Sequence, residues 1–278
     1  MRTTRAILEA QGKERAEAFR RVHHLGAQPL GDLVALVERT TGHDVAVLDA
    51  GIGEHGLTMR DPQRDVVFIG VARTRHPMRQ RSTLAHELAH VLFEDWNDGE
   101  ELNVRSQEEM RADAFARHLL LPGDGLKEFL GSTTDLSESD LSAVVQWFLV
   151  SPAIAAIALH DHGYIDSAVK REWMGLTTPR LATRFGWLDH YQSLQEDSDR
   201  TRSPRRLLAR TIAGYCEGVV STQTVATLWG ISANEASERL AEAGIVPYEP
   251  DIPELLAEEL PPVDISDLYG ETVDSSAS

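Results

Sequence analysis

The chain has 278 residues, 42% of them hydrophobic, which is enough for one or two domains with a substantial core. Lysine and arginine number 27 against 44 aspartates and glutamates, and the formal charge of -17 argues against non-specific nucleic-acid binding by the whole chain. Cys216 is the only cysteine, so an internal disulfide is excluded, and we expect a small buried side chain there and a cytoplasmic location.

No stretch has the length and continuity of a signal peptide or a membrane helix. Residues 1–9 are partly basic but contain no long apolar run. The apolar stretch 143–159 is interrupted by Gln146, Ser151 and Pro152, and it falls short of the ~20 residues that a membrane helix needs. We therefore expect no export and no membrane contact.

The first third of the chain predicts two helices and a small sheet. Apolar residues recur at helical spacing over residues 13–22 and 30–39, and Thr41 with Gly42 ends the second helix. Residues 44–48, 55–59 and 65–71 cluster β-branched side chains around turns at 50–53 and 61–64, which predicts an antiparallel sheet.

The segment 83–93 predicts a metal-binding helix that begins near Pro77. His86 and His90 are four residues apart, so they lie one turn apart on the same helix face and can bind one zinc ion. Glu87 can reach a water on that metal and take its proton before the water attacks a peptide carbonyl, which is the H-E-x-x-H arrangement. The alternative is a core helix whose histidines bond backbone carbonyls.

A catalytic zinc also needs a third protein ligand and an open position for water. Glu109 is a candidate because it lies three residues before Ala112, on the inward face of a predicted helix in the segment 108–122. Glu108, about 100° away around that helix, and Glu94, one turn after His90, are the alternatives. Glu109 could instead be a solvated acid in the first helical turn, favoured by the helix dipole.

Two motifs together resemble a known family. Residues 81–90 read R-S-T-L-A-H-E-L-A-H, and residues 109–122 read E-M-R-A-D-A-F-A-R-H-L-L-L-P. They resemble the motifs R-F-T-L-A-H-E-L-G-H and E-x-x-A-(N/D)-x-F-A-x-x-L-L-M-P of the ImmA/IrrE-type zinc metallopeptidases. Ser82 in place of an aromatic residue and Ala89 in place of glycine depart from these motifs without removing a ligand.

The resemblance implies a gluzincin-like α+β fold with zinc as the cofactor and a helix-turn-helix repressor-type protein as the substrate. The zinc ligands that it implies are His86, His90 and Glu109, with Glu87 as the catalytic base. In such enzymes an edge strand of the sheet binds an extended substrate, and we expect this edge at residues 65–70; an ordinary core strand is the alternative. The acidic loop 94–101 is expected to rim the cleft, where it either selects basic or polar substrate segments or is simply solvated.

The rest of the chain predicts helices. Residues 126–130 and 136–150 have helical spacing, and residues 144–160 resemble a degenerate helix-turn-helix without a basic face. The polar segment 196–204 is the predicted linker, followed by a helix-turn-helix-like segment at 224–240 with its turn at Gly230. Because the second helix of that segment offers Glu235 and Glu238 with Arg239 as its only cation, we expect a protein-binding module and no specific DNA binding.

The sequence thus predicts a zinc metallopeptidase domain at 1–178, a helical module at 179–248 and an acidic tail at 249–278. The tail has no lysine or arginine, so it is expected to be disordered and to restrain the enzyme or dock on a partner. The predicted fold is α+β, with the small antiparallel sheet packed on the zinc-binding helices. The predicted activity is a zinc-dependent metallo-endopeptidase, and the alternative is a zinc-containing regulatory protein that acts through its helix-turn-helix segments without proteolysis.

Overall fold

The structure, a computed structural model, describes residues 2–51, 55–96, 106–131, 133 and 135–248. This part of the chain is a mixed α+β fold with three strands and thirteen helices. The strands are β1 (Asp44–Leu48), β2 (Gly56–Asp61) and β3 (Val66–Ala72). The helices are α1 (Arg2–Val22), α2 (Leu33–Thr41), α3 (Pro77–Phe93), α4 (Gln107–Leu120), α5 (Gly123–Leu130), α6 (Glu138–Phe148), α7 (Pro152–Asp161), α8 (Ser167–Trp173), α9 (Thr178–Arg184), α10 (Leu188–Ser198), α11 (Arg205–Cys216), α12 (Thr222–Trp229) and α13 (Ala233–Glu242).

The sheet is mixed, so the expectation of a wholly antiparallel sheet is wrong. Its strand order is β1-β3-β2, in which β1 runs parallel to β3 and β2 runs antiparallel to it. The turn at 61–64 connects β2 and β3 directly, and the side chain of Asp61 accepts hydrogen bonds from the backbone N–H groups of Gln63 and Arg64. Because β3 inserts between β1 and β2, those two strands do not pair with each other.

The expectation that residues 65–70 form an edge strand is also wrong. β3 is the central strand, and Val67, Ile69 and Val71 along it are almost completely buried. These three residues are two apart, so they form one buried face of the strand. The outer side of β1 pairs with the chain at Arg202, which leaves β2 as the strand whose outer edge has no strand partner among the described residues.

The main core lies where α1, α3 and α4 pack together against the sheet. Leu84 and Leu88 of α3 and Phe115 and Leu119 of α4 are almost fully buried in one hydrophobic cluster. At Gly12 the backbones of α1 and α4 approach so closely that a Cβ atom would lie 2.6 Å from that of Ala114. The two helices that carry the predicted ligands are therefore held in a tightly packed framework.

Glu9 links α1 to α4 and gives the fold an acid-sensitive contact. Its carboxylate accepts hydrogen bonds from His118, at 2.9 Å, and from Arg117. The hydrogen bond from His118, with Arg117 adding to it against the effect of burial, lowers the pKa of Glu9 from 4.5 to about 2. Because the folded-state pKa is the lower one, this contact stabilises the protein above pH 4.5, and the stabilisation is lost as the pH falls towards 2.

We expect Glu9→Gln to lower the free energy of unfolding at pH 7 by about 1 kcal/mol, since the carboxylate is partly exposed and screened by solvent. The difference from wild type should shrink as the pH falls below 4.5. Urea unfolding followed by circular dichroism at several pH values measures it. Glu14→Gln, at an exposed position of the same helix, is the control. A difference that stays constant from pH 7 to pH 3 would contradict the assignment.

Helices α9 and α10 also contribute to the main core, through residues such as Leu181 and Tyr191. The segment 196–204 is not the free linker that its composition predicts. Its first part, up to Ser198, belongs to α10. The N–H of Thr74 donates a hydrogen bond of 3.0 Å to the carbonyl of Ser198. Arg202 then pairs with Val47 of β1 through two backbone hydrogen bonds of 2.9 Å. Polar side chains here make tertiary contacts, which composition alone does not reveal.

The last three helices surround a small cluster of their own. Tyr215, Val225 and Leu240 form it, and the turn between α12 and α13 lies at Gly230, which has the positive φ of 67° expected of a turn glycine. Cys216 is exposed, so the expectation of a buried cysteine is wrong, because α11 directs Tyr215 inward instead. The role of these helices as a helix-turn-helix module and the domain boundaries at 178 and 248 stay predictions.

Some expectations fall outside the described residues. These are most of the acidic loop, from residue 97 onward, and the tail 249–278. Among the described helices, none alone has the length and apolar character to cross a membrane; α6 and α7 meet that test only as a pair, and the chain bends by 109° between them.

Candidate metal centre

The two predicted histidine ligands lie on one face of α3. His86 and His90 are one turn apart, and their Nε2 atoms are 3.0 Å from each other. Only 7% of the His90 side chain is exposed, while His86 opens partly to the adjacent cleft. Helix α3 begins at Pro77, as the sequence predicts, and it ends where Glu94 adopts a left-handed conformation with φ of 58°.

Glu109 reaches the same point from α4. The hydroxyl of Ser106 caps this helix by accepting from the N–H of Glu109, which places Glu109 in the first turn. Its two carboxylate oxygens lie 3.1 Å from Nε2 of His86 and 3.3 Å from Nε2 of His90. Among the described residues these three side chains are the group that could hold one metal ion.

The two alternatives for the third ligand are not part of this group. Glu94 lies at the C-terminal cap of α3. Glu108 is adjacent to Glu109, but hydrogen bonds from its own N–H and from the Ser106 hydroxyl lower the pKa of its carboxyl and hold it at the start of α4. The structure thus brings together the three residues of the first choice, while their role as ligands stays a prediction.

The chemistry of the cluster favours a cation at its centre. Burial disfavours a charged His86, yet its hydrogen bonds to Asp113 and Glu109 raise its pKa to about 10. Hydrogen bonds to His86 and His90 in turn lower the pKa of Glu109 to about 2. Two imidazole nitrogens and a carboxylate that point at one another repel unless a proton or a metal ion lies between them. The donor set fits zinc, which prefers nitrogen and carboxylate ligands and keeps an open position at catalytic sites.

Carboxylates outside the cluster lie beside the Nδ1 atoms of both imidazole rings, and the one beside His86 is within hydrogen-bond distance. Nδ1 of His86 is 2.9 Å from Asp113, and Nδ1 of His90 is 3.5 Å from Asp95. Arg111 fixes Asp95 with a 2.6 Å hydrogen bond. A hydrogen bond such as that between His86 and Asp113 holds the Nδ1–H tautomer and turns Nε2 towards the metal position. Sequence reasoning missed both aspartates, although the spacing of Asp113 four residues after Glu109 could have indicated a shared helix face.

Replacing Asp113 with asparagine should weaken zinc binding by about 10–100-fold, because His86 would lose the carboxylate that orients its ring. Competition with a zinc chelator measures the affinity. The control is Asp161→Asn, which removes the carboxylate beside His160, a histidine–aspartate pair that lies outside the cluster. Equal zinc affinity of the Asp113→Asn variant and wild type would contradict this role.

Glu87 lies next to the cluster at the wall of a cleft of about 780 Å³. Its carboxylate accepts a 2.8 Å hydrogen bond from the hydroxyl of Thr58 on β2. The cleft is lined by the cluster, by β2 and by apolar side chains of α4 and α7; these lining residues include His86, Glu87, Glu109, Leu57, Ala116, Ile154 and Ile157. An extended chain could therefore lie beside β2 with apolar side chains against α7.

A helix-borne histidine pair, a glutamate from the next helix and a second carboxylate beside them form the arrangement that defines metallopeptidases of the H-E-x-x-H class. Residues 41–160 match the family model Peptidase_M78, the IrrE N-terminal-like domain, and this range covers the sheet and helices α3 to α6 and most of α7. This match supports the resemblance of residues 41–160 to the ImmA/IrrE-type metallopeptidase family. Among curated proteins, none matches this chain.

Proposed function

We propose that the protein is a zinc-dependent metallo-endopeptidase that cleaves a repressor-type transcription regulator in the cytoplasm. The observation that carries the proposal is the convergence of His86, His90 and Glu109 on one point with the Glu87 carboxylate beside it. The match of residues 41–160 to the family model supports a metallopeptidase function, and the regulator as substrate rests on the resemblance to the ImmA/IrrE-type enzymes.

Different residues of the cleft would bind the metal, transfer the proton and bind the substrate during peptide hydrolysis. His86, His90 and Glu109 would hold the zinc ion. Bound zinc supplies Lewis-acid chemistry, since it lowers the pKa of water and polarises a carbonyl group. Glu87 would accept a proton from the attacking water and return it to the leaving amine nitrogen. The outer edge of β2, which no other described strand covers, would offer backbone N–H and C=O groups to an extended substrate, and this edge takes the place of the one expected at residues 65–70.

The alternative, a regulatory protein that acts through its helix-turn-helix segments, is less well supported. Structural zinc sites are usually closed by four protein ligands, whereas the described residues bring three to this cluster. On α13 the one cation, Arg239, is engaged by Glu235 at 2.6 Å in the same helix. A helix with a neutralised arginine and a further exposed carboxylate at Glu238 is poorly suited to a phosphate backbone.

The test incubates the zinc-loaded protein with a purified helix-turn-helix repressor-type regulator, and separately with unfolded casein, and identifies the products by mass spectrometry. We expect cleavage of the regulator at one or a few bonds by wild type and none by Glu87→Gln. Cleavage of casein alone would retain the peptidase and reject the substrate. Failure to cleave either protein, together with tight and sequence-dependent DNA binding, would favour the regulatory alternative.

A further inference from the structure

Strand β2 turns two small residues towards the Glu87 side chain. Residues two apart along a strand point to the same side, and here Gly56 and Thr58 face α3 while Leu57 and Met59 are 40% and 55% exposed. A Cβ atom on Gly56 would lie 2.6 Å from Oε1 of Glu87. It would also lie 2.7 Å from Cγ2 of Thr83, so no side chain larger than that of glycine fits at this position unless both Glu87 and Thr83 move.

Thr58 contacts the other carboxylate oxygen. Its hydroxyl donates to Oε2 of Glu87 at 2.8 Å, and the Glu87 backbone carbonyl lies farther away, at 3.3 Å. A hydroxyl carries a single proton, and a bond to an ionised carboxylate is about twice as strong as one to a neutral acceptor. Thr58 is itself fixed, because it pairs with the fully buried Ile69 in the middle of the sheet and its β-branched side chain has few rotamers.

The two contacts together define where both oxygens of the carboxylate lie. A glutamate on a helix surface ordinarily samples several rotamers, and its terminal torsion rotates broadly. Here the Thr58 hydroxyl holds Oε2, and the space above Gly56 receives Oε1 at the wall of the cleft. A proton acceptor that is already held in place loses less conformational entropy on reaching the transition state than one that must first be ordered.

We propose that Thr58 is a positioning residue for Glu87 and that Gly56 provides the space this position requires. The proposal rests on the proposed peptidase function, which it deepens by assigning a role to β2 beyond substrate binding. A purely structural role for Thr58, as a tie between β2 and α3, makes a different prediction: its loss would lower stability without changing turnover per folded molecule.

The test compares Thr58→Val with wild type in zinc-loaded, full-length protein. We expect kcat to fall by about 10–100-fold, since displacing a reacting group by about 1 Å has an effect of this size. KM, zinc content and the melting temperature should stay close to wild type. Thr58→Ser keeps the hydroxyl and should restore kcat to within a few-fold. Thr227→Val, which also removes a threonine hydroxyl bonded to a protein oxygen, is the matched control on α12.

A second variant tests the position of the other carboxylate oxygen of Glu87, Oε1. Gly56→Ala should lower kcat with zinc retained, because the added methyl group clashes with Oε1 of Glu87 as well as with Cγ2 of Thr83 and so displaces the carboxylate. Gly31→Ala is its control, since a Cβ atom there meets nothing within 4 Å. This pair of variants tests the proposal even if Thr58→Val does not fold.

Crystal structures of wild type and Thr58→Val give a readout that does not depend on activity. We expect one Glu87 rotamer in wild type and several, or a different one, in the variant. An unchanged Glu87 rotamer in Thr58→Val, or a Thr58→Ser variant as slow as Thr58→Val, would overturn the positioning role while leaving the peptidase function intact. If wild type cleaves no protein or peptide, the proposed function fails, and the positioning role fails with it.

Discussion

Glu87→Gln should abolish most of the peptidase activity while zinc remains bound. The amide cannot accept the proton of the attacking water, and loss of a general base typically costs about 10²–10⁴-fold in rate. Glutamine has almost the same shape, and Glu87 is outside the group of three that could hold the metal, so the zinc content should stay near one per chain. The measurement is kcat for one peptide or regulator substrate, with zinc determined on the same preparation.

The control for this experiment is Glu94→Gln at the C-terminal end of the same helix, which should cleave at the wild-type rate. Two results would contradict the assignment of Glu87 as the base. One is a Glu87→Gln variant that turns over as fast as wild type, and the other is a variant that loses its zinc together with its activity.

Glu109→Ala should remove the metal from the site. In the part of the chain that the structure describes, Glu109 is the carboxylate within reach of both imidazoles, at 3.1 and 3.3 Å. Its loss removes a ligand, so the effect on zinc affinity should exceed the about 10–100-fold that removing a partner of a ligand costs. His86→Ala and His90→Ala should behave alike, because zinc needs all three protein groups at such a site.

The matched control is Glu108→Ala, one residue earlier on α4, which should bind zinc as wild type does. Zinc content after dialysis against a weak chelator distinguishes the variants. If Glu108→Ala or Glu94→Ala loses the metal and Glu109→Ala keeps it, the third ligand is assigned to the wrong glutamate.

The helical part of the site could be anticipated because its signal is local. Once α3 is predicted as a helix, the spacing of His86 and His90 places them on one face. In α4, the helical spacing of the apolar residues indicates that Glu109 lies on the inward face. Pro77 and Gly42 likewise mark the ends of helices through their own backbone preferences. These inferences need only the geometry of one helix.

The order of the strands in the sheet could not be predicted from local sequence signals of this kind. The sequence locates β3 well, but whether it is central or at the edge depends on which strands pair with it, and pairing is a property of distant residues. The contact between Arg202 and β1 is of the same kind, since it joins residues far apart in the chain. A polar composition at 196–204 therefore suggested a linker where the chain in fact packs on the sheet.

The residues that support the site were missed for a related reason. Thr58 and Asp95 have no motif around them, and each acquires its role only because the fold brings it to Glu87 or His90. The contact of Thr58 crosses from the sheet to α3, and Asp95 reaches back from the residues after that helix. The sequence predicts the site residues that share one helix. The structure adds the residues that contact this helix from other elements.

The most direct test of the account is the anomalous diffraction of a zinc-saturated crystal, recorded on both sides of the zinc absorption edge. We expect one strong peak per chain between α3 and α4, within about 2.0–2.2 Å of Nε2 of His86, Nε2 of His90 and a carboxylate oxygen of Glu109, with no fourth protein ligand. A zinc ion enclosed by four protein side chains, a peak elsewhere in the molecule, or no peak at these residues would contradict it.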